Sequence, residues 1–382
     1  YYFVVFNEVE NGTIIIRRIM MKKSQMMSVL CAASMVVSLL TGCGGENKPA
    51  NSEKTEIVIE ETKRDSAEDA KDDGQFYKLN FGHTLTENDP FHQAYLKWAE
   101  AVSKKTGGKL QIEVYPSSQL GVEEDILEQM KQGTNVGWQT DAARLGNYVN
   151  EFSVLLAPYF LENMDEVKEL MDSPTIAEWE KKLEDEHNIK VISFGFVQGY
   201  RNIYANKKAT NPDEMKGLQI RTAGAPVWVA GIDSLGCKAV SLAYGEIYNG
   251  IQTKGVDGCE LPYIAANNLK IQEVAKYILE TQHIYQMNFM VCSAEWFNSL
   301  PENYQRILTD ECNNAGLEVS EQMQKDSDAA KQAMINSGME YVPADQMDIA
   351  AFRKASQEAY DKLNLNEARK AVYKELGKEI IK

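Results

Sequence analysis

The sequence is poor in the residues and motifs that carry most metal and enzymatic chemistry. Its 382 residues include only four histidines and six cysteines, with no HExxH, CxxC, GxSxG or Walker-type segment. Structural zinc sites and nucleophile elbows depend on such spacings. We therefore expect no metal site, no cofactor and no catalytic residues.

Positive charge is also in deficit. The chain has 40 lysines and arginines against 56 aspartates and glutamates, which gives a formal net charge of −16. A chain with this excess repels polyanions. The balance argues against nucleic acid and anionic lipid surfaces as partners.

No apolar run reaches the length of a membrane span. Two lysines precede a run of about 15 apolar residues, 26–40, whereas a spanning helix needs about 20. A basic start followed by a short apolar run is typical of an export signal. We predict a signal peptide over residues 1–42, with Met20 or Met21 as the true start and residues 1–19 as an over-extended reading frame.

The predicted signal peptide ends in Leu-Thr-Gly-Cys, residues 40–43, which resembles a bacterial lipobox. The resemblance implies cleavage before Cys43 and lipidation of its thiol. Residues 43–75 are rich in charged and small polar side chains, so they bury too little surface to offset the entropy of ordering. We expect a disordered tether that holds an extracytoplasmic, lipid-anchored body at the cell membrane.

Residues 76–382 are long enough for two ordinary domains. The predicted elements of the first part are strands at 77–81, 109–115 and 135–139, helices from Pro90 to about 107 and from 121 to 132, and two further helices at 162–170 and 175–186. This alternation of strand and helix favours a mostly parallel sheet with helices on its faces.

The second part predicts a different arrangement. An apolar strand at 190–197 is followed by strands at 200–206, 218–222 and 238–241, with a helix at about 226–235, then a long helix from Pro301 to about 336 and another between 346 and 378. These later strands favour a second sheet. We predict an α/β protein of two lobes, with a cleft at the carboxyl ends of strands where ligands bind in such folds.

Two arginines lie at predicted strand ends. Arg201 begins the strand at 200–206, and Arg221 ends the strand at 218–222, before Thr-Ala-Gly. Small residues allow close approach of a ligand, and the planar guanidinium matches a carboxylate bidentately. Either arginine alone could equally be a surface residue paired with an acid. Together they point to a carboxylate-binding cleft.

Four body cysteines, Cys237, Cys259, Cys292 and Cys312, form no recognisable pair. An oxidising compartment would permit disulfides, but spacing does not assign them. Buried or unreacted thiols are the favoured interpretation.

Five segments occur in the order and spacing of one known family: YPSSQLG (115–121), GYRN (199–202), MKGLQIRT (215–222), EIYNGIQTKGVDGCELP (246–262) and AKYILETQH (275–283). The chain resembles the substrate-binding proteins of TRAP transporters, the dicarboxylate-type extracytoplasmic solute receptors, across essentially all of 77–382. The combination of KGLxIR with a downstream GVDGxE is the most specific part of the match.

The resemblance implies a two-lobe clamp like that of periplasmic binding proteins, with strands that cross between the lobes and long C-terminal helices. Lobe I would comprise 76–198 and about 287–326, and lobe II would comprise 199–286 and about 327–382. The implied function is capture of a small organic carboxylate by a monomer and its delivery to TRAP membrane subunits, without enzymatic activity.

In this family the arginine of the KGLxIR motif pairs with the ligand carboxylate, and the arginine after the preceding central strand assists. These positions are Arg221 and Arg201 here. The other ligand-binding candidates are Tyr244, Asp141, Gln139, His83, Thr84, Leu261 and Glu260.

Two of these candidates bear on the substrate. Leu261 stands where the family commonly has an asparagine that hydrogen-bonds the ligand. Either the ligand lacks the group that asparagine reads, or another residue supplies the contact. A carboxylate at Asp141 would suit a ligand hydroxyl or amine better than a second carboxylate. No particular substrate follows.

The residues alone leave alternatives open. A receptor for an ABC-type importer or a chemosensory system would have the same cleft. An extracytoplasmic hydrolase would have to use Asp141, His83 or Glu260, yet no spacing joins a nucleophile, a base and an orienting group. A purely structural surface lipoprotein would have no need of the two arginines.

Overall fold

The computed structural model describes residues 2–10, 13–21 and 74–380. The proposed lipidation site Cys43, the apolar run at 26–40 and most of the predicted tether lie outside these ranges. The first two ranges are antiparallel strands, β1 (Tyr2–Glu10) and β2 (Thr13–Met21), in a compact unit separate from the body. Among the helices of the described ranges, none has the length and apolarity needed to cross a bilayer.

The strands of the body are β3 (Tyr77–Gly82), β4 (Leu110–Tyr115), β5 (Val136–Thr140), β6 (Ile189–Ala205), β7 (Gln219–Thr222), β8 (Lys238–Ser241), β9 (Gly258–Pro262), β10 (Tyr277–Ser293) and β11 (Glu340–Val342). The α-helices are α1 (Pro90–Lys105), α2 (Glu123–Lys131), α3 (Ala142–Leu145), α4 (Met164–Met171), α5 (Pro174–His187), α6 (Pro212–Met215), α7 (Pro226–Ser234), α8 (Ile247–Gln252), α9 (Tyr263–Asn268), α10 (Ala294–Asn298), α11 (Glu302–Asn336), α12 (Ile349–Lys362) and α13 (Asn366–Glu375). Short 3₁₀ helices occupy Asn150–Leu156, Tyr244–Glu246, Ile271–Glu273 and Ala344–Gln346.

All nine body strands belong to one sheet, in the order β4-β3-β5-β10-β6-β9-β7-β8 with β11 beside β10. One end of the sheet is built around β3, which is parallel to β4 and β5. The other end is built around β7, which is parallel to β8 and β9. The expectation of a second, separate sheet was therefore wrong, because the strand predictions at 190–197 and 200–206 are two parts of β6.

The two ends of the sheet are joined by β6 and β10, which have 17 residues each and so extend roughly 55 Å. Gly199 lies in the middle of β6 with φ +86°, a conformation that glycine adopts without strain. The pairing of β6 with β10 shifts register between Gln286 and Met287. A strand that is locally irregular but continuous is typical of a β-bulge. This irregularity explains why the sequence pattern predicted two strands in place of β6.

The long helix α11 packs against β6. The Ser320 hydroxyl donates to the Gly195 carbonyl at 2.8 Å and accepts from the Val197 amide at 2.7 Å. At Gly316, an added Cβ would lie 2.6 Å from the ring of Phe196, so the helix contacts the strand closely. These contacts fix the part of β6 that leads into the central cavity.

The C-terminal segment forms two helices, α12 and α13, where a single helical stretch was expected. Asn364 separates them with a left-handed φ of +56°, which asparagine tolerates better than most residues. Helix α13 packs against the segment before α4, where the Tyr373 hydroxyl donates to the Phe160 carbonyl at 2.9 Å.

The four body cysteines, Cys237, Cys259, Cys292 and Cys312, are free and buried. The favoured interpretation from the sequence, buried thiols, is confirmed. Burial raises the pKa of the Cys259 thiol to about 12, and because the thiolate is the reactive form, this thiol is unreactive at neutral pH.

Candidate functional site

A cavity of about 840 Å³ lies at the centre of the sheet. Its walls come from the segments that follow β3, β4, β5, β7 and β8, from the last residues of β9, and from the middles of β6 and β10. Ligands of open α/β sheets bind outside the carboxyl ends of strands. The position of this cavity agrees with that rule.

Seven of the nine predicted ligand-binding residues line the cavity: Arg221, Arg201, Tyr244, Asp141, Gln139, Thr84 and Leu261. The other two, His83 and Glu260, have no exposed surface and lie outside the lining. His83 contacts His92 there, and Glu260 contacts Arg201 and Thr222.

Arg221 is a buried cation without a protein counter-ion. Its side chain is 4% exposed, and its Nε and Nη2 groups both donate to the Leu242 carbonyl, at 3.0 and 2.8 Å. No carboxylate of residues 74–380 lies within ion-pair distance of it. Burial lowers the pKa of Arg221 to about 10, opposed in part by the charge of Glu260. Three of its five N–H donors have no acceptor among residues 74–380.

Arg201, in contrast, is already compensated. Its Nε forms a short buried ion pair with Glu260, and its Nη1 donates to Gln286 Oε1 at 3.1 Å. The ring of Trp228 covers the guanidinium at 4.7 Å. Burial would raise the pKa of Glu260, but the charge and hydrogen bonds of Arg201, with His283 nearby, lower it to about 2. The two arginines line the same cavity, but only Arg221 lacks a counter-ion.

A network of side-chain amides crosses the cavity wall between the two ends of the sheet. Gln286 Nε2 donates to Asn288 Oδ1 at 3.2 Å, and Gln139 Nε2 donates to the same oxygen at 3.2 Å. The Tyr95 hydroxyl in turn donates to Gln139 Oε1 at 3.0 Å. With Arg201 at its other end, this network fixes the orientation of three polar residues that line the cavity.

A second charged group, the Arg144 cluster, consists of Arg144, Glu123, Glu124 and Asp141, all of which line the cavity. Asp141 Oδ1 accepts from the Arg144 amide and so caps α3, while Oδ2 accepts from Arg144 Nη1 at 2.7 Å and from Trp228 Nε1 at 3.4 Å. Its carboxylate is thus held by the protein, which the sequence did not indicate.

The pair His83 and His92 explains why His83 does not reach the ligand cavity. Its Nε2 lies 3.0 Å from His92 Nδ1, and burial together with the neighbouring His92 lowers the pKa of His83 to about 3. In residues 74–380 and the two N-terminal strands, no group of three or more His, Cys, Asp or Glu side chains is arranged to hold a metal ion.

Sequence reasoning missed several lining residues: Glu123, Arg144, Gln198, Trp228, Gln286 and Asn288. A signal was available for two of them. Gln286 and Asn288 are polar residues two positions apart in an otherwise apolar stretch, so they lie on one face of a strand. Polar residues on one face of a buried strand indicate either a hydrogen-bonded core or a binding surface.

One sheet shared by two lobes, a central polar cavity and an uncompensated arginine define the class of the protein as an α/β solute-binding receptor. The chain belongs to the bacterial extracellular solute-binding proteins, family 7, whose model matches residues 81–366. This is the family of TRAP-type receptors, so the resemblance, the two-lobe α/β fold with crossing strands and the receptor function predicted from the sequence are confirmed. Family and fold are those of receptors rather than enzymes.

Individual relatives agree with this assignment. The chain is 25% identical over 261 residues to the 2,3-diketo-L-gulonate-binding periplasmic protein of Escherichia coli, covering 67% of this chain and 79% of the relative. A TRAP periplasmic solute-binding protein of Escherichia fergusonii, solved in an apo open state, is 30% identical with a TM-score of 0.71, covering 78% and 99%. One from Sulfitobacter, with bound β-D-galacturonate, is 25% identical with a TM-score of 0.71, covering 78% and 98%.

Proposed function

We propose that this protein binds a small organic acid through Arg221 and delivers it to the membrane subunits of a TRAP transporter. The observation that carries the proposal is the burial of Arg221 without a counter-ion. A buried unpaired charge is costly. A ligand carboxylate would compensate it and accept its remaining N–H groups in bidentate geometry.

The relatives support the same class of ligand. The names of the Escherichia coli and Sulfitobacter proteins specify a diketogulonate and a galacturonate, each of which carries a carboxylate. The feature common to these two ligands that we carry over is the carboxylate alone. No observation favours an ABC importer, a chemosensor or a hydrolase over this function.

We further propose that ligand binding closes two lobes, 76–198 with about 287–326 and 199–286 with about 327–382. Gly199 and the register shift after Gln286 lie at these boundaries, and irregular points in long strands are suited to act as hinges. Helix α13 belongs by chain position to the second lobe and contacts the first.

Titration calorimetry on the purified body tests the proposal. An organic acid that raises the melting temperature in a thermal-shift screen should bind at least about 30-fold more tightly than its uncharged methyl ester, because the ester leaves Arg221 unpaired. Small-angle scattering should show a smaller radius of gyration with the acid than without it. Equal affinity for acid and ester would refute the carboxylate assignment, and an unchanged radius would refute closure.

We propose also that lipid on Cys43 anchors the protein outside the cell membrane. The lipobox-like sequence before this residue supports it. Cys43→Ser, expressed with its own leader in a bacterial host, should move the protein from the membrane fraction to the soluble fraction. Cys31→Ser, in the apolar run of the same leader, is the matched control and should stay membrane-bound. A Cys43→Ser protein that remains in the membrane fraction would contradict the anchor.

A further inference from the structure

The cavity has a negative wall in addition to its positive one, and this restricts the ligand that Arg221 accepts. In the Arg144 cluster, Nε of Arg144 lies 3.2 Å from Glu123 Oε2 and 3.1 Å from Glu124 Oε1, and Nη1 lies 2.7 Å from Asp141 Oδ2. Three carboxylates therefore share one guanidinium. With all groups ionised, three negative charges and one positive charge leave the cluster at −2.

This wall is a built part of the cavity and not an acidic patch on the surface. Glu123 and Asp141 are 9% and 7% exposed, and the Thr140 hydroxyl donates to Glu123 Oε1 at 2.6 Å. Burial raises the pKa of Glu123 to about 7 although Arg144 opposes the shift. The charge of Arg144 thus does not fully offset the cost of burying the Glu123 carboxylate.

An unpartnered polar group independently indicates that the cavity holds a polar ligand. The side-chain amide of Gln198 lines the cavity, is 7% exposed, and makes no side-chain hydrogen bond to any residue of 74–380. Because the protein does not occupy this amide, its N–H and C=O groups are open to the cavity and can bond to whatever fills it. A ligand with several oxygen or nitrogen atoms could hydrogen-bond to it.

Trp228 contacts both charged regions. Its indole N–H donates to Asp141 Oδ2 at 3.4 Å, while its ring lies over the guanidinium of Arg201 at 4.7 Å. Arg201 therefore contacts the face of the indole and the Arg144 cluster contacts its N–H edge. A molecule that spans the cavity meets positive charge at one end and net negative charge at the other.

We infer that the ligand carries a single anionic group, bound at Arg221, and at its far end a hydroxyl or ammonium group that donates to the buried carboxylates of Glu123 and Asp141. This inference rests on the proposed function and narrows it, since it excludes dicarboxylates. Arg144 retains N–H groups of its own, but an anion placed there would lie beside both buried carboxylates. Like charges at such short range repel strongly in a cavity wall of low dielectric constant.

Sets of acids that differ only at the far end test the inference by calorimetry at pH 7.5. Suitable sets are galactonate, 6-amino-6-deoxygalactonate and galactarate, and 4-hydroxybutanoate, 4-aminobutanoate and succinate. If any member of a set binds, its dicarboxylate should bind at least tenfold more weakly than the tighter-binding of the hydroxy acid and the amino acid. The hydroxyl and ammonium members show which donor is preferred.

A dicarboxylate that binds as tightly as its partners would overturn the inference and leave the proposed function intact. Absence of binding by every carboxylate, in these sets and in a broader organic-acid screen, would overturn both.

Substitutions locate the effect. Glu123→Gln removes one buried negative charge. It should therefore lower the ratio of the dissociation constants of dicarboxylate and hydroxy acid at least threefold. Asp141→Asn should do the same and retains an oxygen to cap α3, so it serves if Glu123→Gln folds poorly. Glu128→Gln is the matched control, because this glutamate lies on α2 like Glu123 but is outside the cavity lining and its side chain is 54% exposed. It should leave the ratio within twofold. A ratio of dissociation constants that stays unchanged in every folded variant would overturn the inference.

Discussion

Replacing Arg221 with glutamine should weaken carboxylate binding by roughly 30-fold to several-thousand-fold. Loss of one partner from a desolvated charge pair costs about 2–5 kcal/mol, and Arg221 is the lining cation that no carboxylate of the described body pairs with. Arg221→Lys should also bind poorly, because a single ammonium does not reproduce the bidentate fork. Calorimetry with the acid found in the screen measures both.

The same substitution should not lower the melting temperature of the ligand-free protein. The empty protein bears the cost of burying an uncompensated cation, and glutamine removes that cost while losing the hydrogen bonds to Leu242. A residue maintained for binding at some expense of stability is common at functional sites. Loss of affinity without loss of stability would therefore separate a binding role from a structural one.

Arg369→Gln provides a matched control. Arg369 is also a buried arginine, 8% exposed, but it lies outside the cavity and packs against the rings of Tyr360 and Tyr373. Its replacement should lower the melting temperature and leave carboxylate affinity unchanged. If Arg221→Gln bound the acid as well as the unsubstituted protein, the proposed function would lose its basis.

Most helix starts were predictable because their signals are local. Asp89 accepts from the Phe91 amide and is followed by Pro90 at the first helical position, and Ser173 with Pro174 repeats the arrangement. Polar caps and an N-terminal proline specify a helix start from a few adjacent residues. The long helix α11 was also predicted to follow Pro301, although this proline is the N-cap residue and provides no side-chain cap.

The joining of the sheet was not predictable in this way. Whether β6 continues through Gly199 depends on its pairing with β10, which lies about 90 residues further along the chain. Sequence periodicity shows an interruption at Gly199 but not the partner that maintains the strand. The sequence therefore predicted the strands on both sides correctly and the number of sheets wrongly.

In the site, too, the features set by neighbouring residues were predictable and those set by remote residues were not. Both predicted arginines line the cavity, because strand ends and small neighbours are local features. Which arginine is free was decided by a distant residue, since Glu260 pairs with Arg201 and not with Arg221. The negative wall likewise joins Glu123 to Arg144 across two elements. Sequence patterns do not show which charged residues of remote segments pair with each other, so these features of the site could not be predicted.

Replacing Glu260 with glutamine should lower the free energy of unfolding by about 3–5 kcal/mol at neutral pH. The carboxylate has no exposed surface, forms an ion pair with Arg201, and accepts from the Thr222 hydroxyl at 2.8 Å. Removal of one partner of a buried pair leaves the other charge uncompensated. Chemical denaturation measures the difference, and Glu318→Gln, from the exposed pair with Lys97, should cost less than about 1 kcal/mol.

The pH dependence of that difference identifies its cause. The folded pKa of Glu260 is lowered to about 2 from its ordinary value of 4.5, so the ionised form stabilises the fold above pH 4.5. This contribution, about 3 kcal/mol, is lost as the pH falls from 4.5 through 2. The difference in free energy of unfolding between the Glu260→Gln protein and the unsubstituted one should therefore become smaller between pH 5 and pH 3. A difference of constant size across that range would mean that glutamine acts through altered packing and not through the loss of the ion pair.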